Sequence, residues 1–183
     1  MTERPDTLFW FVAYVRSCQE RRVADLLVAQ GIETYVPVQK ERHKWSDRVK
    51  IVDHLVLPRM VFIRTTKATR YRVAEDYRGR ITGFMSHGGP HNPVIIPDNQ
   101  MADFQYMVSH GGGEVRIASE PLAPGDLVEI LSGPLKGFKC ELVTLSTKRF
   151  ATVRLGMLGS AVIDVSLDNV KKAVEEEAEE AEK

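Results

Sequence analysis

Residues 125–143 read GDLVEILSGPLKGFKCELV. Two runs of strand chemistry, 127–131 and 138–145, flank a turn at Gly133-Pro134, and a second glycine follows at Gly137. The β-branched and aromatic residues fit a pleated, half-buried surface, and Gly and Pro punctuate the reversal between them. Gly137 comes directly after Lys136, at a point where such a turn calls for a positive φ that a side chain would strain. Short strands that reverse this abruptly predict a small barrel. Further strands are expected near 149–155 and 161–165, so a β-rich unit is placed at 122–170. A domain this small is marginal unless tightly closed, which an SH3-like barrel is.

Upstream the pattern changes. The apolar run at 8–15, LFWFVAYV, has strand length and is expected to be a central strand buried on both faces. Ser17 and Glu20 stand three apart, the spacing of a capping box, before a helix with Val23, Leu26 and Leu27 on one face. Gly31 ends that helix. A second strand is expected at 32–38 and an extended hairpin over 40–56 with a polar tip at 43–48. A strand at 59–64 follows, with Val61 and Ile63 alternating against Met60 and Phe62. Helices are placed at 67–77 and from Pro97-Asp98 onward, with a short strand at 80–85 between them. Met101, Phe104 and Val108 form the inner stripe of the last helix. The order β-α-β-β-β-α-β-α predicts a ferredoxin-like split βαβ domain over 1–108 with an inserted hairpin. The fold class is therefore α+β. SHGGG at 109–113 opens a linker expected to run to 121. The last residues, 171–183, hold six glutamates and read as an acidic tail.

Charge follows the same division. Formal net charge is zero over 183 residues. Residues 1–108 carry 16 Lys+Arg against 12 Asp+Glu, and 109–183 carry 9 against 13. A basic front and an acidic rear point to separate surfaces. The two cysteines, Cys18 and Cys140, match no metal-ligand spacing and suit a reducing, cytoplasmic setting. The apolar run at 8–15 is too short to span a bilayer, so no membrane role is expected.

No GxSxG, phosphate loop or HExxH occurs in the sequence, and a non-enzyme is the reading. His87 and His91 are four apart, but Gly88, Gly89 and Pro90 lie between them and forbid the helix that would align them. No metal or cofactor is expected. Binding signals are better. Lys40, Arg42, Lys44, Arg48, Lys50 and Arg59 crowd the hairpin region, with Trp45 at its tip. Basic side chains neutralise phosphates, and an exposed indole can stack on an unpaired base for about 1–3 kcal/mol. The alternative is a solvated charged hairpin with Trp45 folded back on the sheet. Trp10, Met60, Phe62 and Phe84 all fall on expected strands. Strand aromatics are commonly core residues. If Val61 and Ile63 face helices, however, Met60 and Phe62 face the other side, and an open face there would be an apolar partner patch.

Together the stretches FWFVAYV, GIETYVPV, LPRMVFIR, RITGFM and IPDNQMADF, followed by the turn-centred motif at 125–143, resemble the NusG family over about residues 8–172. In that family an NGN domain precedes a KOW barrel. The resemblance implies an N-domain that binds the clamp helices of RNA polymerase through an apolar patch, which by position falls on Trp10, Met60, Phe62 and Phe84. It implies a hairpin placed to meet the non-template DNA strand, with Lys44, Trp45, Arg48 and Lys50 as candidates. It also implies a barrel, with the loop Gly133, Pro134, Leu135, Lys136 and Gly137, that binds a ribosomal protein or Rho. HKWSDRVK and LPRMVFIR look closest to the UpxY-type paralogues, antiterminators of capsular-polysaccharide operons. Leu135 stands where the general factor carries phenylalanine, which puts Rho binding in doubt. The expectation is a monomeric antitermination factor. The rivals are the housekeeping factor and a ribosome-associated KOW protein that binds RNA.

Overall fold

The computed structural model describes residues 7–44, 48–118, 120, 122–145, 148–165 and 170–172. Strand β1 (Phe9–Val15) carries no charge and takes the centre of the first sheet. It pairs antiparallel with β5 (Met60–Thr65) on one side and β6 (Ile81–Phe84) on the other. Strand β2 (Glu33–Tyr35) joins the far side of β5, which gives the order β2-β5-β1-β6, and the two-residue β7 (Ile95–Ile96) also pairs with β1. That order, with helices in the crossovers, is the expected split βαβ arrangement.

Val61 lies opposite Ala13, and Phe62 opposite Val12, so alternate residues of both strands serve opposite faces. One face, with Ala13, Val15, Val61 and Ile63, packs against Val23 and Leu27 of α1 (Glu20–Val28) and Val73 of α2 (Lys67–Asp76). The other, with Trp10, Val12 and Phe62, packs against Met101, Phe104, Met107 and Val108 of α3 (Asp98–His110).

The capping box expected at Ser17 and Glu20 does not form. Gln19 is the N-cap of α1, with no side-chain cap bond. Glu20 is instead buried, and its carboxylate accepts a 2.8 Å hydrogen bond from the backbone N–H of Arg59. Arg59 has φ of 64°, a turn conformation that leaves its amide free to meet Glu20. A tertiary partner has outcompeted the local one.

The strand expected at 32–38 is split by Pro37, which has no N–H to give the sheet. The chain leaves the sheet after Tyr35 and begins a two-stranded ribbon, β3 (Val38–Lys44) and β4 (Val49–Leu55), paired from Val38↔Leu55 to Lys44↔Val49. Arg21 of α1 holds the ribbon through a 2.6 Å ion pair to Asp53.

The second sheet runs β13-β9-β10-β11-β12-β8. Its middle is the meander β9 (Asp126–Ile130), β10 (Lys139–Leu145), β11 (Lys148–Arg154) and β12 (Ser160–Asp164). Two short strands extend it. β8 (Arg116–Ala118) pairs with β12, and β13 (Val170–Lys172) pairs with β9. Residues 116–118 were expected in a linker and 171–172 in a tail, so both ends of the β unit reach further than the hydrophobic pattern indicates. Strands of three residues are too short to show a periodicity.

Within the meander, Glu141 and Arg154 form a two-pronged pair, Arg154 Nε to Oε2 at 2.7 Å and Nη2 to Oε1 at 2.6 Å. The hydrogen bonds from Arg154, with help from the Gly125 N–H and against partial desolvation, hold the Glu141 carboxyl below its usual range. A lowered folded value stabilises the fold above the unfolded carboxylate pKa of about 4.3 and is lost as pH falls through the folded value. Thermal midpoints measured from neutral to acid pH should therefore drop more steeply below about pH 4 in the parent than in Glu141→Gln. Parallel curves for the two proteins would refute this.

The segment between the two sheets is held in place. The Gln39 amide donates to the Gly113 carbonyl at 3.0 Å, while its oxygen accepts from the Val115 N–H at 2.8 Å. Gln39→Ala is expected to raise hydrogen exchange at the Val115 amide by about tenfold, corresponding to roughly 1–1.5 kcal/mol for a lost intramolecular bond. Unchanged protection would show that strand pairing alone fixes this segment.

Candidate functional site

The sheet face expected to be open is covered. Phe62 is fully buried and Trp10 is 4% exposed. The Phe62 ring centroid lies 5.7 Å from Phe104 of α3 and 6.1 Å from Tyr35, and Tyr35 and Phe104 stand edge to face at 6.1 Å. The alternation argument correctly separates Met60 and Phe62 from Val61 and Ile63. The Met101–Phe104–Val108 stripe of α3 then fills the face that argument left empty. Met60 is only partly buried.

Phe84 does not join this group. It lies opposite Ala13, on the α1/α2 face, and meets Phe11 edge to face at 6.4 Å. The four residues are thus divided between two sides of one sheet, and no single patch contains them all.

Helix α3 has a second covered side. Tyr106 stacks on Phe138 of the β unit with centroids 5.1 Å apart. Near the helix end, a Cβ on Gly111 would stand 2.5 Å from Ile163 Cδ1. One continuous buried cluster therefore runs from Trp10 and Phe62 through Phe104 and Met107 to Val128, Leu135, Phe138 and Ile163. Reading α3 as a one-sided amphipathic helix missed this. The available signal was Tyr106 and Met107, apolar positions that together widen the stripe beyond one face.

The ribbon positions the basic candidates differently. Lys50 and Arg48 are exposed near its far end, and Lys44 ends β3 opposite Val49. Trp45 lies outside the described residues. Ile51 and Val52 are 58% and 39% exposed. They are adjacent in a strand and so point to opposite sides of the ribbon. A ribbon with apolar residues exposed on both sides and cations along its length can lie against a polyanion that also offers apolar base surface.

The turn in the β unit has the expected backbone. Gly133 and Gly137 take φ of 84° and 82°, and the Gly137 N–H donates to Ile130 O at 2.7 Å. Leu135, however, is 3% exposed and belongs to the cluster shared with the first sheet. It packs inward and does not present a contact to solvent. Pro134 lies against Gly112, where an added Cβ would be 2.7 Å from its Cγ.

His87 and His91 occupy the turn between β6 and β7, closed by the His87 N–H to Asn92 O bond at 2.9 Å. Cys18 is exposed and Cys140 buried. Burial raises the Cys140 thiol to about 11, which keeps it protonated and unreactive near neutrality. Among the described residues, no group of three or more His, Cys, Asp or Glu could hold a metal ion. None of their helices is long and apolar enough to cross a membrane.

The family model described as transcription termination factor nusG matches residues 8–105, more than half of the chain. No curated protein matches the chain. Twenty-seven solved chains do. Among them is NusG of Thermotoga maritima, solved in a study of its domain interaction, at 19% identity, 91% of this chain, 97% of that chain and a TM-score of 0.48. The match over 8–105 spans β1, the ribbon, both faces of the first sheet and most of α3. The chain belongs to the NusG family of transcription factors.

Proposed function

We propose that this protein is a specialised elongation factor that binds RNA polymerase at its clamp helices and promotes antitermination at capsular-polysaccharide operons. The observation that carries the specialised reading is the inward packing of Leu135. A barrel loop whose one large apolar residue is buried offers no anchor for Rho, because interface energy concentrates in apolar or aromatic groups that enter a partner's pocket. The housekeeping role, which couples transcription to Rho or the ribosome, is the second reading. A ribosome-associated KOW protein is the third.

Polymerase docks around Met60, the one member of the Trp10, Met60 and Phe62 set that keeps partial exposure. Trp10 and Phe62 support it from beneath, and Phe84 stands outside this surface. A partner that needs the outer side of α3 must first displace Phe138 from Tyr106. The ribbon carries the exposed Arg48 and Lys50 toward the non-template strand.

A pull-down of purified polymerase by the full chain tests the first step. Met60→Lys should weaken retention by about tenfold or more, the effect of a lost hot-spot contact, while leaving the thermal midpoint nearly unchanged. Retention equal to the parent's would sink the docking assignment. Genome-wide occupancy tests specialisation. Signal across most transcription units would favour the housekeeping reading, and ribosome association without polymerase the third.

A further inference from the structure

The first turn of α2 and the loop before β7 enclose a cation that has no counter-ion among the described residues. Arg70 is 4% exposed. It lines a cleft of about 190 Å³ together with Lys67, Tyr71, His91 and Asn92. Its guanidinium lies 4.2 Å from the Tyr71 ring centroid, 5.3 Å from Phe84 and 5.6 Å from Phe11. Arg70 Nε is buried with no hydrogen-bond partner, and the Arg70 side chain makes no hydrogen bond or ion pair among the described residues.

Aromatic faces attract a guanidinium, but they offer no acceptors for its five N–H donors. Buried arginines are ordinarily paired with a carboxylate. The carboxylates of this helix are elsewhere. Glu75 lies near the other end and meets Arg78, and the first turn holds no acidic residue. A helix N-terminus already carries partial positive charge. Here Arg70 adds to it, in a first turn where natural sequences usually place Asp or Glu.

The opposite wall is ordered as well. The Asn92 N–H donates to Gly89 O at 3.1 Å, and Ser86 and Pro93 bridge the base of the loop. This holds His91 and Asn92 across the cleft from Arg70. A permanent cation, a histidine and an amide line a space smaller than a drug-sized site. Their shared complement is a small oxyanion with several acceptors.

We propose that this cleft binds a phosphate group, with Arg70 as its principal donor and His91 and Asn92 closing over it. The site is independent of polymerase docking, since it lies on the Phe84 side of the sheet and not around Met60. Phosphate reaches it either as a free anion or nucleotide, or as an internal phosphate of a single strand.

The test is amide NMR on the full chain, titrated separately with inorganic phosphate, a nucleoside monophosphate and a short single-stranded oligonucleotide lacking terminal phosphates. Shifts should centre on residues 67–71 and 90–93. The probe that binds most tightly identifies the source. Affinity should fall about tenfold or more in Arg70→Met, as expected for losing a charge-assisted donor. The double variant His91→Ala, Asn92→Ala lies in an exposed loop, leaves the core intact and should weaken binding as well. Absence of shifts at 67–71 with all three probes would overturn the proposal. So would shifts that persist at parental affinity in the loop variant.

Discussion

Phe62→Ala is expected to lower the stability of the first domain by about 3–5 kcal/mol, the range for removing a buried aromatic ring. Phe62 is fully buried, with Tyr35 and Phe104 rings within 6.1 Å. These neighbours sit on β2 and α3 and cannot both close the space without moving a strand against a helix. Against a typical domain stability of about 5–15 kcal/mol this is a large loss. Urea unfolding should show a lower midpoint at an unchanged slope. Polymerase binding by this variant should fail at temperatures where the fold fails and recover below them. A variant of parental stability that nevertheless loses polymerase would mean that Phe62 is a contact residue and not a core residue.

Gly125→Ala is the second large effect, and it falls on the β unit. An added Cβ would overlap the Leu142 carbonyl oxygen and stand 2.7 Å from its carbon and 3.1 Å from Val143 Cγ2. Two of these atoms are main chain in β10, beside the Asp126↔Leu142 pair. Backbone cannot rotate away as a flexible side chain can, so the pairing of β9 and β10 must shift. The same shift would stretch the 2.6 Å bond from the Gly125 N–H to Glu141. The expected cost is at or above the upper end of ordinary overpacking, about 3 kcal/mol. Gly137→Ala makes the control. Nothing lies within 4 Å of its Cβ position, so only the positive φ is strained, at about 1–2 kcal/mol. Circular dichroism melts of the two variants should rank them in that order. Equal melts would show that β10 yields at Leu142 and that the close approach is soft.

The elements with long, clear periodicity are legible in the sequence. The β1 run, the α3 stripe and the meander at 126–164 stand where the hydrophobic pattern places them, because burial on one face imposes its period on the residues. Elements whose bonds are tertiary are not. Glu20 looks like half of a capping box and serves instead as acceptor for Arg59, 39 residues away in the chain but adjacent in space. Strands β8 and β13 are three residues each and exist only because β12 and β9 have free edges to pair with. By position Phe84 groups with Trp10, Met60 and Phe62 but lies on the opposite face, because the β1–β6 register shifts between Tyr14 and Val15 and register decides which way a strand residue points.

For this protein the sequence by itself determined the two units, the turn at Gly133–Gly137 and the membership of its N-terminal half in a family of transcription factors. These depend on local pattern, which a linear chain displays. Tertiary structure alone decided that Leu135 faces inward, that α3 lies between two partners, and that Phe62 is sealed while Met60 is not. Each of these depends on which surfaces meet. Apolar burial is non-directional, and the same residues on a strand suit an open face or a covered one until the neighbour is in place.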